Sequence, residues 1–231
     1  MNHSLQILES WKANARNWIA SIQGGEIESR LLATNGAIVN CVCSCLPKKV
    51  LDIGCGEGWL VRELRKKGIE AYGADGVKQL VAEAIKNDGP NYYHVTYEEI
   101  AGGRHALPSS LDAVVINFAL IDKENTEALI RYVPSLLQQA GYLFIQTLHP
   151  LTIALTDEYK TGWKDGSWNG MKQNFVQPYF WYFRTLEDWM NLFRQSGFTL
   201  EEMREPIHPG TGKPASVIFV LKQNSRLKNR L

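Results

Sequence analysis

The chain has 231 residues, of which 45% are apolar and 21% charged, which is enough to bury the core of one large domain. Its formal net charge of +1 excludes a strong field toward nucleic acid or an anionic membrane, so neither is the expected partner. No apolar segment reaches the roughly 18 residues that a membrane span requires, and the first residues lack the layout of a signal peptide. We therefore expect a single domain located in the cytoplasm.

Residues 1–46 precede the first predicted strand and are predicted to form a helical cap. Trp11 and Trp18 lie two helical turns apart, which places both on one apolar helix face. Arg30 and Asn35 are the polar residues of the cap that could reach the mouth of a following sheet. A solvated position on the helix surface is the simpler interpretation for each of them.

The next stretch combines an apolar run with a glycine-rich turn. The run ends near Asp52 and is followed by Gly54, Gly56 and Gly58 at alternate positions, after which a helical pattern begins. This pattern predicts a strand, a tight turn and a helix whose first N–H groups can bind a polar ligand. Dinucleotide-binding turns have the spacing G-x-G-x-x-G, whereas here bulky Trp59 follows the last glycine. The turn is therefore not expected to bind a pyrophosphate.

From residue 47 to residue 150, predicted strands alternate with predicted helices, which indicates a doubly wound, parallel α/β sheet. The most apolar segment, 112–120, is predicted to be a central strand, and a helix is predicted over 123–137. Asp75 ends the second predicted strand, about 20 residues after the glycine turn. Its carboxylate is expected to accept hydrogen bonds from the ribose hydroxyls of a nucleoside.

The glycine turn with Asp52 in front, followed by Asp75, resembles the cofactor motifs of class I S-adenosylmethionine-dependent methyltransferases. The resemblance covers residues 49 to about 148 and is nearest to the small-molecule branch, which includes quinone-biosynthesis methyltransferases. It implies a seven-stranded, mostly parallel sheet with an antiparallel last strand. It also implies S-adenosyl-L-methionine as the cofactor and a small molecule as the methyl acceptor.

The resemblance further implies which residues bind the cofactor. They are Asp52, Gly54, Cys55, Gly56, Gly58 and Trp59 around the methionine part, Asp75 at the ribose, Gly76, Val77, Thr96 and Tyr97 around the adenine, and Asn117 and Phe118 beside the methyl group. The family usually has an acidic residue after the third strand, and this chain does not have it at the matching position. Thr96 or a main-chain carbonyl is expected to replace it, with Tyr97 stacking on the ring.

Methyl transfer from a sulfonium requires an acceptor held in line with the C–S bond and no catalytic triad. Among the five histidines, His149 lies at the end of a predicted central strand. It is therefore the candidate base for an acidic acceptor, with a structural role before Pro150 as the alternative. No metal site is predicted.

Residues 151–184, called the lid segment below, contain nine aromatic residues and no clear periodicity. They are predicted to form a hairpin or a short helix that covers the site. Trp168, Trp181, Tyr182 and Arg184 are the candidate acceptor-binding residues, and Arg184 suits a carboxylate. The alternative is that these aromatic residues only stabilise the insertion.

Residues 185–223 are predicted to complete the sheet, and 224–231 form a polar tail. The predicted function is methyl transfer to a small, aromatic or carboxylated metabolite. A non-catalytic S-adenosylmethionine-binding subunit and an RNA methyltransferase are the alternatives. The sequence does not determine the oligomeric state, and a homodimer is compatible with it.

Overall fold

A computed structural model describes residues 3–155 and 157–224 as strands of a twisted sheet with helices on both faces. The strands are β1 Lys49–Ile53, β2 Glu70–Asp75, β3 Tyr92–His94, β4 Leu111–Asn117, β5 Leu137–Thr147, β6 Gly162–Asp165, β7 Phe180–Phe183, β8 Phe198–Arg204 and β9 Val217–Gln223. The helices are α1 His3–Gln23, α2 Asn35–Ser44, α3 Trp59–Lys66, α4 Lys78–Asp88, α5 Tyr97–Ala101, α6 Glu124–Tyr132, α7 Pro150–Ala154 and α8 Leu186–Gln195. None of the helices in these described ranges combines the length and the apolar character that a bilayer crossing requires. Apart from Asn224, the predicted tail lies outside the described residues.

The main sheet has seven strands in the order β3-β2-β1-β4-β5-β9-β8. The first five of these strands are parallel to one another, whereas β9 is antiparallel to both β5 and β8. This topology confirms the predicted doubly wound sheet with a reversed last strand. The carboxyl ends of β2, β1 and β4 lie side by side, and the strand order switches between β1 and β4, which is where such sheets bind ligands.

The core has two layers, because the central strands are covered on both faces. On one face, Leu51 and Val114 pack in a cluster with Trp189 of α8. On the other face, Val50 packs in a cluster with Leu60 of α3. The near-continuous apolar sequence of β1 and β4 follows from this two-sided burial.

Two predicted elements are shorter in the structure. The predicted strand 112–120 stops at Asn117, because Phe118 adopts a left-handed φ of 53° that ends the strand pairing. The predicted helix 123–137 stops at Tyr132, and a 3₁₀ turn containing Pro134 follows, since proline cannot donate the hydrogen bond that the helix needs.

The lid segment contains most of α7 and the antiparallel hairpin β6–β7. In that hairpin Trp163 pairs with Tyr182, and the ring of His3 lies 4.1 Å from that of Trp163. The first turn of α1 therefore packs directly on the hairpin.

A second group of contacts joins α1 to the lid segment. The main-chain oxygen of Gln177 accepts hydrogen bonds from Ser10 Oγ at 2.8 Å, Asn14 Nδ2 at 2.8 Å and Trp168 Nε1 at 2.6 Å. Asn14 Oδ1 in turn accepts from the N–H of Val176 at 2.8 Å. Because Ser10 and Asn14 are fully buried, these bonds fix the lid segment to one face of the helix.

Arg184 links the lid segment to the loop after β4. It is 2% exposed, and its guanidinium donates to the main-chain oxygens of Asp122 at 3.2 Å and Lys123 at 3.1 Å. It also forms ion pairs with Glu127 at 3.7 Å and Asp188 at 3.5 Å. Through these contacts the guanidinium of Arg184 holds the loop and α6 against α8.

We predict that Arg184→Met lowers the free energy of unfolding by about 3 kcal/mol, since two buried carbonyls and two carboxylates lose their donor. Chemical denaturation followed by tryptophan fluorescence measures this loss. The control is Arg194→Met on the exposed side of α8, which should change the free energy of unfolding by less than about 0.5 kcal/mol. Equal effects of the two substitutions would contradict a structural role for Arg184.

Candidate functional site

The glycine turn joins β1 to α3 and brings the main chain close to a cavity. Gly54 has a φ of 77°, and a Cβ there would lie 2.4 Å from the Cβ of Ala119 and 2.6 Å from the hydroxyl oxygen of Tyr97. Only glycine fits this position. At Gly56 the nearest atom to such a Cβ is Nε1 of Trp18, at 3.7 Å. The main chain at Gly56 therefore borders open space.

Asp75 ends β2 beside this turn and is 8% exposed. Its Oδ2 accepts the N–H of Gly56 at 2.9 Å, and its Oδ1 accepts the N–H of Val77 at 2.8 Å. Burial raises the pKa of Asp75, and the two backbone N–H groups lower it. Each oxygen keeps a lone pair for a further donor, which suits the two hydroxyls of a ribose.

Asp52 lies in β1 behind the turn and is 2% exposed. Within residues 3–155 and 157–224 its Oδ1 has no hydrogen-bond partner. Burial raises the pKa of Asp52 well above its usual range; the charges of Asp75 and Glu57 raise it further, while Arg30 lowers it. A cation placed beside this carboxyl would lower that pKa and stabilise the charged form.

Arg30 supplies a cation at the same site. Its guanidinium carbon lies 4.9 Å from the ring centroid of Trp59 and 5.9 Å from that of Trp18. Burial lowers the pKa of Arg30 to about 10, so the group stays charged at neutral pH. No salt bridge or hydrogen bond within the described part of the chain holds this guanidinium. The solvated position expected for Arg30 is therefore wrong, because α1 and the glycine turn enclose the side chain.

A cavity of about 330 Å³ lies at the carboxyl ends of β2, β1 and β4. Of the predicted cofactor residues, all except Asp52 and Gly58 line it: Gly54, Cys55, Gly56, Trp59, Asp75, Gly76, Val77, Thr96, Tyr97, Asn117 and Phe118. A Cβ at Gly58 would lie 2.7 Å from the hydroxyl oxygen of Tyr92, so packing explains that glycine. The side of α1 that carries Leu8, Trp11 and Trp18 forms the opposite wall.

A family model described as "Methyltransferase domain" matches residues 42–203. The chain belongs to this methyltransferase domain family. A ubiquinone biosynthesis O-methyltransferase of Chromobacterium violaceum is 30% identical over 107 residues, which cover 44% of this chain and 45% of the relative. An uncharacterized protein of Haemophilus influenzae is 25% identical over 189 residues, or 69% of this chain and 70% of that protein. The chain thus spans about half the length of the curated O-methyltransferases that it matches.

Solved structures support the same assignment at the level of the fold. A structure from Listeria monocytogenes, described as an S-adenosylmethionine-dependent methyltransferase, has a TM-score of 0.63 at 20% identity over 80% of this chain and 96% of that chain. The 1,6-didemethyltoxoflavin-N1-methyltransferase of Burkholderia thailandensis has a TM-score of 0.64 at 14% identity over 91% of this chain and 87% of that chain. Family and fold together identify a methyltransferase domain with the class I fold.

The candidate base of this methyltransferase domain, His149, is not among the described residues that line the cavity. It precedes α7, where its Nδ1 accepts the N–H of Leu151 at 3.0 Å. Its Nε2 lies 2.7 Å from Oε1 of Glu205. Because both ring nitrogens are engaged away from the cavity, the geometry favours the structural alternative for His149.

The four candidate acceptor residues of the lid segment also lie outside the described lining of the cavity. Trp168 packs behind the wall, with its ring 5.3 Å from that of Trp11. Tyr182 donates its N–H to the main-chain oxygen of Ile121 at 2.8 Å, and Trp181 packs on Phe183 in the same strand. Arg184 is engaged in the buried ion pairs described above, so it does not reach an acceptor carboxylate. These residues support the wall of the cavity from behind.

Thr96 is the N-cap residue of α5, and this position restricts its expected role at the adenine. Its main-chain N–H donates to Oε2 of Glu99 at 2.8 Å, and its hydroxyl accepts the N–H of Glu99 at 3.2 Å. These two hydrogen bonds form a capping box with Glu99, which engages the hydroxyl of Thr96. Tyr97 likewise donates its hydroxyl to the main-chain oxygen of Ala119 at 3.1 Å.

The polar residues that line the cavity and were not predicted from the sequence include Glu98, Asp122 and Asn125. Glu98 lies in the segment after β3, and the other two lie after β4. Their position beyond the carboxyl ends of parallel strands is the signal that could have found them.

We predict that Asp52→Asn stabilises the ligand-free protein at neutral pH. Asp52 keeps its proton to a higher pH in the folded chain than in the unfolded chain, so the folded state loses stability as the pH rises through that raised pKa. The amide does not titrate, and the variant should therefore melt a few degrees higher at pH 7 with a smaller change between acidic and neutral pH. Thermal unfolding across this pH range is the measurement.

Glu63→Gln, at a partly exposed acid of α3 that pairs with Lys66, is the matched control and should follow the wild-type pH dependence. A variant Asp52→Asn that melts below the wild type at pH 7 would show that the carboxylate stabilises the free protein instead.

Proposed function

We propose that this domain binds S-adenosylmethionine in the 330 Å³ cavity and transfers its methyl group to a small-molecule acceptor. The observation that carries the proposal is the convergence of the glycine turn, Asp75 and Arg30 on this one cavity. Each is suited to a different part of the cofactor. When bound, S-adenosylmethionine supplies an electrophilic methyl group on a sulfonium sulfur.

The ribose end is assigned to Asp75. Both carboxylate oxygens are fixed by backbone N–H groups of Gly56 and Val77 and retain acceptor capacity. A pair of vicinal hydroxyls is the donor set that such a carboxylate suits best. Gly76 and Val77 continue the lining from there, and Glu98 provides a carboxylate beyond β3 for an exocyclic amino group.

The methionine end is assigned to Arg30 and Asp52. Arg30 is a half-buried cation without an ion pair in the described chain, and a carboxylate is its natural partner. Asp52 lies behind the lining of the cavity; among the described residues its buried Oδ1 has no donor, and its carboxyl favours an ammonium group in the space in front of it. The two unsatisfied groups thus match the opposite charges of an amino acid.

The protein's own contribution is positioning, which in favourable cases lowers a barrier by about 7–11 kcal/mol. Asn117 at the end of β4 and Phe118 directly after it border the cavity on the side away from Asp75. Trp11 and Trp18 of α1, supported by Trp168, close the cavity from outside and limit the access of water.

A small molecule is the proposed acceptor class. The cavity lies under α1 and the lid segment, and the formal charge of the chain is only +1, which disfavours a polyanionic substrate. The names of the quinone-pathway relatives and of the toxoflavin enzyme agree with this class. These names do not identify the atom that this chain methylates.

We predict different effects of Arg30→Gln on two related ligands. Its affinity for S-adenosylhomocysteine should fall by about tenfold or more, because a charge-assisted contact to the carboxylate is lost. Its affinity for methylthioadenosine, which has no amino-acid carboxylate, should stay unchanged. Isothermal titration calorimetry with both ligands makes the comparison.

Asp75→Asn should weaken the binding of both ligands, since both contain the ribose. Arg16→Gln, on the exposed face of α1, is the control and should weaken neither. If Arg30→Gln weakened both ligands equally, the assignment of Arg30 to the methionine carboxylate would be wrong.

Activity is tested by incubating the protein with methyl-labelled S-adenosylmethionine and either a metabolite extract or total RNA. Label should enter a small-molecule product, and Asp75→Asn should abolish it. Label in RNA would favour the RNA alternative. Tight cofactor binding without any labelled product would favour a non-catalytic binding subunit.

A further inference from the structure

Asp122 lies in the loop after β4 and lines the cavity, yet it is only 5% exposed. Its Oδ2 accepts a hydrogen bond from Nδ2 of Asn125 at 2.8 Å. Its Oδ1 has no hydrogen-bond partner within residues 3–155 and 157–224. An unsatisfied buried carboxylate is unfavourable for the free protein, so its presence beside a cavity needs an explanation.

The two cations close to Asp122 in the fold are engaged elsewhere. Arg184 donates to the main-chain oxygen of Asp122, while its ion pairs are with Glu127 and Asp188. Lys123 forms its ion pair with Glu124 at 3.9 Å. The main chain of the loop is thus held firmly, while the carboxylate of Asp122 has no cationic partner among the described residues.

The sheet order places Asp122 away from the ribose subsite. Asp75 ends β2, the glycine turn follows β1, and Asp122 follows β4, and these strands are neighbours in the order β2-β1-β4. A cofactor that extends from Asp75 across the glycine turn therefore directs its reactive end toward the loop after β4. Ile121, the neighbour of Asp122 in the chain, is an apolar part of the lining, and Leu5 and Leu8 of α1 add apolar surface to the same cavity.

We propose that Asp122 binds the methyl acceptor, and that the acceptor is a neutral or cationic molecule with an N–H or O–H group on an apolar body. This inference rests on the proposed function and adds the acceptor's chemical class. The carboxylate of Asp122 accepts the hydrogen bond of the donor group, and the apolar walls cover the body of the molecule. A carboxylated acceptor is repelled, which replaces the earlier expectation based on Arg184.

The test uses three probes of similar shape and different charge: benzylamine, benzyl alcohol and benzoate. Binding of each to the complex with S-adenosylhomocysteine is followed by ligand-observed NMR. Wild-type protein should bind benzylamine and benzyl alcohol and should bind benzoate about tenfold more weakly or not at all. This comparison requires no variant, so it holds even if a substitution disturbs folding.

Asp122→Asn should reduce the affinity for benzylamine by about tenfold. The preference for benzylamine over benzoate should fall as a result, while S-adenosylhomocysteine still binds. The melting temperature of Asp122→Asn should equal or exceed that of the wild type. If Asp122 served only to stabilise the fold, the substitution would lower the melting temperature. Glu124→Gln removes a charge two residues away at an exposed position and should leave all three probes unaffected.

Benzoate binding as tightly as benzylamine, no binding of either donor probe, or an unchanged preference in Asp122→Asn would each overturn the proposal. Failure of the wild type to bind S-adenosylhomocysteine would instead overturn the proposed function.

Discussion

The main-chain oxygen of Ala74 accepts hydrogen bonds from two successive amides of the glycine turn, at 2.7 Å from Gly54 N and 3.1 Å from Cys55 N. The next residue of β2, Asp75, accepts the amide of Gly56. Three consecutive amides of one turn are therefore oriented by two consecutive residues of the neighbouring strand. The parallel register of β1 and β2 makes this possible, because it brings the two strand ends level. The cavity, the acid at its base and the start of α3 all depend on this junction.

Several groups at the same edge of the sheet are unfavourable in the free protein. Counting partners from residues 3–155 and 157–224 only, Asp52 and Asp122 each have an unsatisfied buried oxygen, as does Asn117 at Oδ1. Phe118, a bulky residue, adopts a φ of 53° that glycine would adopt more readily. The two apolar layers of the sheet offset these local costs. Unsatisfied polar atoms and a strained backbone beside a cavity are features that binding sites commonly have.

The glycine turn and Asp75 could be predicted from the sequence because their spacing along one strand-turn-helix unit largely determines their positions. His149 and Arg184 could not be placed in the same way, because their partners Glu205 and Glu127 are distant in the chain. His149 was correctly expected at the end of a strand, but the strand end alone does not say which way the ring points. For a similar reason the sequence predicted a solvated Arg30, since the Trp18 and Trp59 rings that enclose its side chain come from other segments of the chain.

The carbonyl of Gln177, which receives hydrogen bonds from Ser10, Asn14 and Trp168, belongs to the lid segment, whereas two of its three donors belong to α1. The first helix and an element more than 160 residues later in the chain thus share one acceptor. Neither of the two can swing outward without breaking the same set of bonds. The wall that α1 forms and the lid segment behind it are therefore expected to move together, as one unit, in any motion that widens the cavity.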